Sequence, residues 1–199
     1  MSKYELIDLI RMRTGMYIGH SSPTHLNSFL SGYFFAKKDE TIKEEKPDFH
    51  GFHDWVAIKF DYYESTSGWA YMIEDQREDE KEALYLFYEL LDEYRGIEHQ
   101  QIANVDFNHE DKTDRTWRGY SRLKKVRGTF KAIPKPLPKT LAIREIELKE
   151  TWFQMVAKNS KNEILFLWSS TELEKVYKRA KEIFGIKKDE WKIKKENGS

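Results

Sequence analysis

The sequence predicts an α+β protein: a helical, bundle-like half over residues 1–96, a basic connection over 97–139, then a small antiparallel sheet with one long helix over 140–199. Three observations carry this. Apolar residues in the first half recur every three or four positions, the spacing that lines one face of a helix. Beyond Lys139 the pattern changes to short aromatic and aliphatic runs separated by turn-formers, followed by one amphipathic stretch. Charge also divides along the chain, at Glu110: residues 1–110 hold 11 Lys+Arg against 22 Asp+Glu, a balance of −11, while residues 111–199 hold 23 against 12, a balance of +11.

Tyr4 to Met12 sets Leu6, Ile7 and Ile10 on one helical face and ends at a loop containing Gly15 and Gly19. Ser22 followed by Pro23 marks a helix start, because the hydroxyl accepts from an unpaired N–H and the proline φ suits the first turn. Leu26, Phe29, Leu30, Tyr33 and Phe34 form that helix's stripe, and the charged run Lys37 to Asp48 reads as an exposed connection. Phe52, Trp55, Val56 and Phe60 give a further helix; Trp69, Met72 and Ile73 give a short one. Glu78, Asp79 and Glu80 place negative charge where the clearest helix begins, which its unpaired N–H groups favour. Ala83, Phe87, Leu90, Leu91 and Tyr94 are its buried stripe, and Gly96 its left-handed stop.

Residues 97–139 read as a connection with little regular structure, with a basic helix around Ser121 to Val126 as its one candidate element. Pro134, Pro136 and Pro138 on alternate residues favour an extended run. Trp152 to Ala157 and Glu163 to Trp168 read as a hairpin around Asn159 to Asn162. A strand from Leu141 to Leu148 precedes them, and its apolar parity breaks between Ile143 and Ile146, implying a bulge or bend. Ser169 and Glu172 have capping-box spacing ahead of Leu173, Val176, Tyr177, Ala180 and Phe184, Gly185 is the stop, and Trp191 and Ile193 add a last strand.

With no cysteine in the chain, disulfides, thiol nucleophiles and thiolate zinc sites are all excluded. No apolar run reaches the roughly 18 residues of a membrane span, and the charged N-terminus does not read as an export signal, so a cytoplasmic protein with no membrane partner is expected. His50 and His53 stand three apart, but no third ligand is fixed by spacing and no metal or cofactor is expected. Asp106, Asn108 and Glu110 open like a calcium loop, yet Asp111 and Trp117 occupy positions that need glycine and glutamate. GxSxG and HExxH are both absent, so no catalytic residue is assigned.

The string Arg11-Met12-Arg13-Thr14-Gly15-Met16-Tyr17-Ile18-Gly19 resembles a segment near the start of the ATPase domain of gyrase-type topoisomerases, with Thr14 in place of that family's proline. The resemblance implies a nucleotide site only together with a Glu-bearing helix, an Asp-Asn pair and glycine-rich loops, and these do not follow. The front half as a whole resembles a group of small bacterial proteins that combine this loop with Leu26 to Tyr33, Trp55-Val56, Gly68-Trp69 and Phe87 to Tyr94, a style shared with immunity and antitoxin components.

Two surfaces therefore carry the functional expectation. The first is a protein-partner surface on the acidic helix, formed by Glu78, Asp79, Glu80, Glu82, Glu89, Asp92 and Glu93, which would recognise a basic protein without catalysis. The alternative is nucleic-acid binding by 112–139, with Arg115, Arg118, Arg122, Lys124, Lys125 and Arg127 on phosphates and Trp117 and Tyr120 stacking on bases. A third reading is a hydrolase-like enzyme using carboxylates with His50 or His53. The oligomeric state is not fixed by the residues.

Overall fold

The computed structural model describes residues 1–38, 45–62, 66, 68–107, 121–126, 129–134 and 136–194, with 121–126 and 129–134 described as backbone. The chain forms two compact units, Met1–Ile97 and Glu98–Ser199, of α+β class together.

In the first unit, α1 (Lys3–Met12) starts from a capping box in which Ser2 Oγ accepts from Glu5 N at 3.1 Å and Ser2 N donates to Glu5 Oε2 at 3.0 Å. A single turn, α2 (Thr14–Tyr17), follows, then α3 (Pro23–Ala36), where Ser22 accepts from His25 N as the Ser-Pro pair predicts. After α4 (Gly51–Lys59) and α5 (Gly68–Glu74), α6 (Glu80–Arg95) is capped by Asp79, which accepts from Glu82 N at 3.0 Å, and closed by Gly96 at φ 70°. Apolar faces of these helices meet in one core. Phe52 sits at its aromatic centre, with ring centroids of Phe49, Trp55, Trp69, Phe87 and Tyr94 between 5.5 and 6.0 Å away. Aromatic pairs in these edge and offset geometries add to the burial that drives the packing.

In the second unit, β1 (His99–Asp106), β4 (Thr140–Glu147), β5 (Thr151–Lys158), β6 (Ile164–Ser170) and β7 (Lys192–Ile193) form a five-stranded antiparallel sheet in the order β6-β5-β4-β1-β7. Between β1 and β4 the chain makes a separate two-stranded ribbon, β2 (Ser121–Val126) and β3 (Thr129–Pro134). The helix α7 (Leu173–Phe184) buries Val176, Tyr177, Ala180 and Phe184 in one cluster with Ala103, Val105, Leu141, Ile143, Met155 and Ala157 from one sheet face. The opposite face, carrying Arg144, Ile146, Gln154 and Val156, is also buried.

Several sequence-based expectations change here. Residues 97–139 are not a weakly structured connection throughout: β1 lies inside the sheet, and Ala103, Val105 and Phe107 alternate with Asn104 and Asp106 as a strand requires. Ser121–Val126 is a strand rather than a helix, held by pairing with β3. The parity break between Ile143 and Ile146 is not a bulge between β4 and β5, whose register runs unbroken from Thr140↔Lys158 to Glu147↔Thr151. Both isoleucines are fully buried because the sheet is covered on both faces there, so alternation no longer separates inside from outside. The irregularity falls on β1 instead, between Gln101 and Ala103. The capping box at Ser169 does not form either; Ser169 pairs with Gln154 inside β6, and Ser170 Oγ accepts from Glu172 N at 3.1 Å instead.

Candidate nucleic-acid interface

The ribbon is the part of the second unit in which the basic segment takes regular form. Its strands pair in simple antiparallel register, with Arg122 opposite Ile133, Lys124 opposite Lys131 and Val126 opposite Thr129. Alternate residues share a face, so Arg122, Lys124 and Lys131 occupy positions of one parity, and Leu123, Lys125, Phe130 and Ala132 occupy positions of the other. Lys124 and Lys131 are direct cross-strand partners, and like charges in that relation destabilise a ribbon unless something neutralises them. Arg115, Trp117, Arg118, Tyr120 and Arg127 lie outside the described residues. Elsewhere in this unit, Lys178 and Lys181 project from α7, exposed and without an ion pair among the described residues, whereas Lys175 meets Glu172 at 2.5 Å and Lys192 meets Asp106 at 2.9 Å.

The acidic helix spends much of its charge internally. Asp92 is fully buried and Glu82 is 2% exposed, so these two expected surface residues belong to the interior. Asp79 caps the helix, Glu80 meets His20, and Glu93 accepts from Lys59 at 2.6 Å. Glu78 is exposed and Glu89 half-buried.

Asp92 is held by the string singled out in the sequence. Arg11 Nη1 and Nη2 donate to the two carboxylate oxygens of Asp92 at 2.8 and 2.7 Å, and the guanidinium lies 4.9 Å from the centre of the Tyr88 ring. Burial alone would lower the Arg11 pKa, but the Asp92 carboxylate outweighs it and holds the arginine above its ordinary value. One turn away, Arg95 makes the same two-pronged contact with Asp8, at 2.8 and 3.0 Å, and covers the Tyr4 ring at 4.6 Å. Desolvation raises the Asp8 pKa despite Arg95. A signal for this arrangement was present in the sequence and missed: α1 and α6 each carry Asp-x-x-Arg, Asp8 to Arg11 and Asp92 to Arg95, and antiparallel packing pairs them reciprocally. The remainder of the string forms α2 and a turn; Gly15 is helical, and Gly19, at φ 67°, is the one glycine there that needs left-handed backbone.

No family model matches the chain, and neither does any curated protein or solved structure.

His50 and His53 do not form a metal centre among the described residues: His50 Nε2 is 3.1 Å from Lys3 Nζ at the start of α4, and no group of three His, Asp or Glu side chains converges. No helix is long and apolar enough to cross a membrane among the described residues. On the sheet face opposite α7, Gln101, Arg144, Gln154 and Ser169 lie in one cross-strand row, and Arg144 Nε donates to Gln154 Oε1 at 2.9 Å. Gln154 Nε2 and Ser169 Oγ are buried without a hydrogen-bond partner among the described residues, positions that ordered water commonly fills.

Proposed function

We propose that residues 98–199 bind nucleic acid through the phosphate backbone, with the β2–β3 ribbon as the contact element. Net charge supports this reading, since 98–199 hold 23 Lys+Arg against 15 Asp+Glu, a balance of +8. The observation that carries it is the ribbon's register, which sets Lys124 against Lys131 with Arg122 at the same parity. Such a cluster repels itself in isolation and is relieved by a polyanion. A two-stranded ribbon is also one of the two elements that the major groove of duplex DNA admits. Contacts of this kind position a protein on a backbone without reading sequence.

A second reading remains for residues 1–97, whose 11 Lys+Arg against 19 Asp+Glu leave −8: an immunity-type protein that binds a basic protein partner. Exposed Glu78 and the net charge support it; buried Asp92 and Glu82 contribute nothing to such a surface.

One titration separates the two. Fluorescence anisotropy of the full chain with labelled duplex DNA, single-stranded DNA and RNA is run from 50 to 200 mM salt. Three phosphate contacts give a slope of about −2.7 in log K against log salt, a loss of about 40-fold across that range on duplex DNA. Arg122→Glu combined with Lys124→Glu and Lys131→Glu removes most of that slope. Absence of binding to any of the three at 50 mM defeats the nucleic-acid reading, and retention of a basic protein by the same chain then favours the second.

A further inference from the structure

Helix α3 is built unlike its neighbour α6. Pro23–Ala36 contains no Asp, Glu, Lys or Arg, although only Pro23, Leu26 and Leu30 are buried. A helix face turned to water is ordinarily charged, as Glu80, Lys81 and Glu93 are on α6. On α3 the exposed residues Thr24, Ser28, Ser31 and Phe35 instead follow one another at the alternating four- and three-residue spacing of a helix–helix seam. Phe35 is 75% exposed. Gly32 lies beside this seam in the helix interior, where glycine lowers stability. Nothing among the described residues comes within 4 Å of the place a Cβ on Gly32 would take, so the packing of its own chain does not call for a glycine there. The close approach of a second helix would.

We propose that α3 packs antiparallel against α3 of a second copy of this chain. Charge at the two ends of the helix selects that occupant. The first turn is flanked by carboxylates: Thr24 N and Oγ1 both donate to Glu74 at 2.8 Å, and Glu80 meets His20, whose ring lies 4.8 Å from that of His25. The other end carries exposed Lys38, with Nζ 5.6 Å from the centre of the Phe35 ring. Antiparallel pairing brings the basic end of each copy to the acidic end of the other, twice over, and leaves an uncharged middle between them. With the two-fold axis between Ser28 and Ser31, Thr24 stands level with the partner's Phe35, and Ser28 with the partner's Ser31. Tyr71, 53% exposed and one turn before Glu74 on α5, lies on the acidic side and offers the incoming Phe35 an aromatic neighbour. The small residues in the middle let the two axes come as close as about 8 Å. This inference does not rest on nucleic-acid binding or on a foreign protein partner.

Because the chain has no cysteine, each single cysteine placed on α3 reports its distance from its own symmetry mate. A disulfide needs Cα atoms within about 7 Å. In the proposed arrangement Ser28 and Ser31 are each offset from their mates by about 4.5 Å along the axis, and Thr24 by about 16 Å. Under mild oxidation of the full chain, Ser28→Cys and Ser31→Cys should therefore cross-link to dimer and Thr24→Cys should not; a parallel pair would cross-link all three. Light scattering of the unsubstituted chain at high micromolar concentration should return twice the monomer mass. Phe35→Lys, a change at an exposed position that leaves circular dichroism unaltered, should return the monomer mass. The proposal is overturned by a monomeric unsubstituted chain, by a Phe35→Lys chain that still dimerises, or by cross-linking at Thr24→Cys as strong as at Ser28→Cys and Ser31→Cys.

Discussion

The helical unit and the sheet unit use charge in opposite ways. In residues 1–97 the most deeply placed charges are spent on packing: Arg11 and Asp92 bury each other, and Asp8 with Arg95 repeats the arrangement one turn away. In residues 98–199 the most concentrated charges sit on a ribbon whose register sets like against like, and on the outer side of α7. Formal charge read from sequence therefore has two physical meanings. Where opposite signs share complementary spacings on two helices it signals an interior contact. Where one sign crowds a short ribbon, the strand register sets like residue types opposite each other.

The largest effect should come from breaking the interior contact. Asp92→Ala leaves the Arg11 guanidinium buried without its carboxylate, a loss of about 3–5 kcal/mol. Thermal denaturation followed by circular dichroism should show the helical signal melting far below that of the parent chain. Replacing the pair together, Arg11→Met with Asp92→Leu, should recover most of the loss, since no orphaned charge remains. If the double variant is as unstable as Asp92→Ala, the pair has a role beyond mutual neutralisation.

The charge reversals in the ribbon should act on the other side of this comparison. They should weaken nucleic-acid binding and flatten its salt dependence while leaving the melting temperature close to that of the parent chain, because one like-charge cross-strand pair replaces another. A stability loss without a binding loss would show that the ribbon's cations serve an internal partner.

Much of the architecture could be read in the residues because it depends on local chemistry. Ser22-Pro23, Asp79 and Gly96 act at α3 and α6 as their types predict, and the hairpin of β5 and β6 turns at Asn159–Asn162. What escaped was set by pairing at a distance. His99–Asp106 has the alternation of a strand, but three polar residues at its start hid it until β4 supplied a partner. Ser121–Val126 is too basic to show any apolar period, and only β3 fixes its state. Ser169 fits a cap by spacing, yet the ladder to Gln154 claims it first. On the functional side, composition located the basic segment, but it could not tell that Asp92 and Glu82 were interior residues, because burial depends on which helix packs against which.

Smaller effects test whether the two units, so different in charge, share the same local rules. Gly96 and Gly185 end α6 and α7 in the same left-handed backbone, at φ 70° and 68°. Gly96→Ala and Gly185→Ala should each cost about 1 kcal/mol, read as similar drops in the melting of the unit concerned. A marked inequality would mean that one helix end is held mainly by its surroundings.

The smallest effect concerns Asp8, and its direction is opposite to that of most ion-paired acids. Burial raises the folded-state pKa of this carboxyl more than Arg95 lowers it, so the folded chain binds the Asp8 proton more tightly than the unfolded chain does. Such a group contributes most stability below its unfolded pKa and loses that contribution as pH rises through the raised folded value. An asparagine at this position keeps the shape and does not titrate. The melting temperature of the parent chain should therefore rise relative to that of Asp8→Asn as pH falls from 7 toward 4, whatever the remaining acids contribute to both. If instead the parent chain loses ground to Asp8→Asn over that range, the Arg95 contact dominates desolvation, and the α1–α6 pairs stabilise the unit as ionised bridges at both levels.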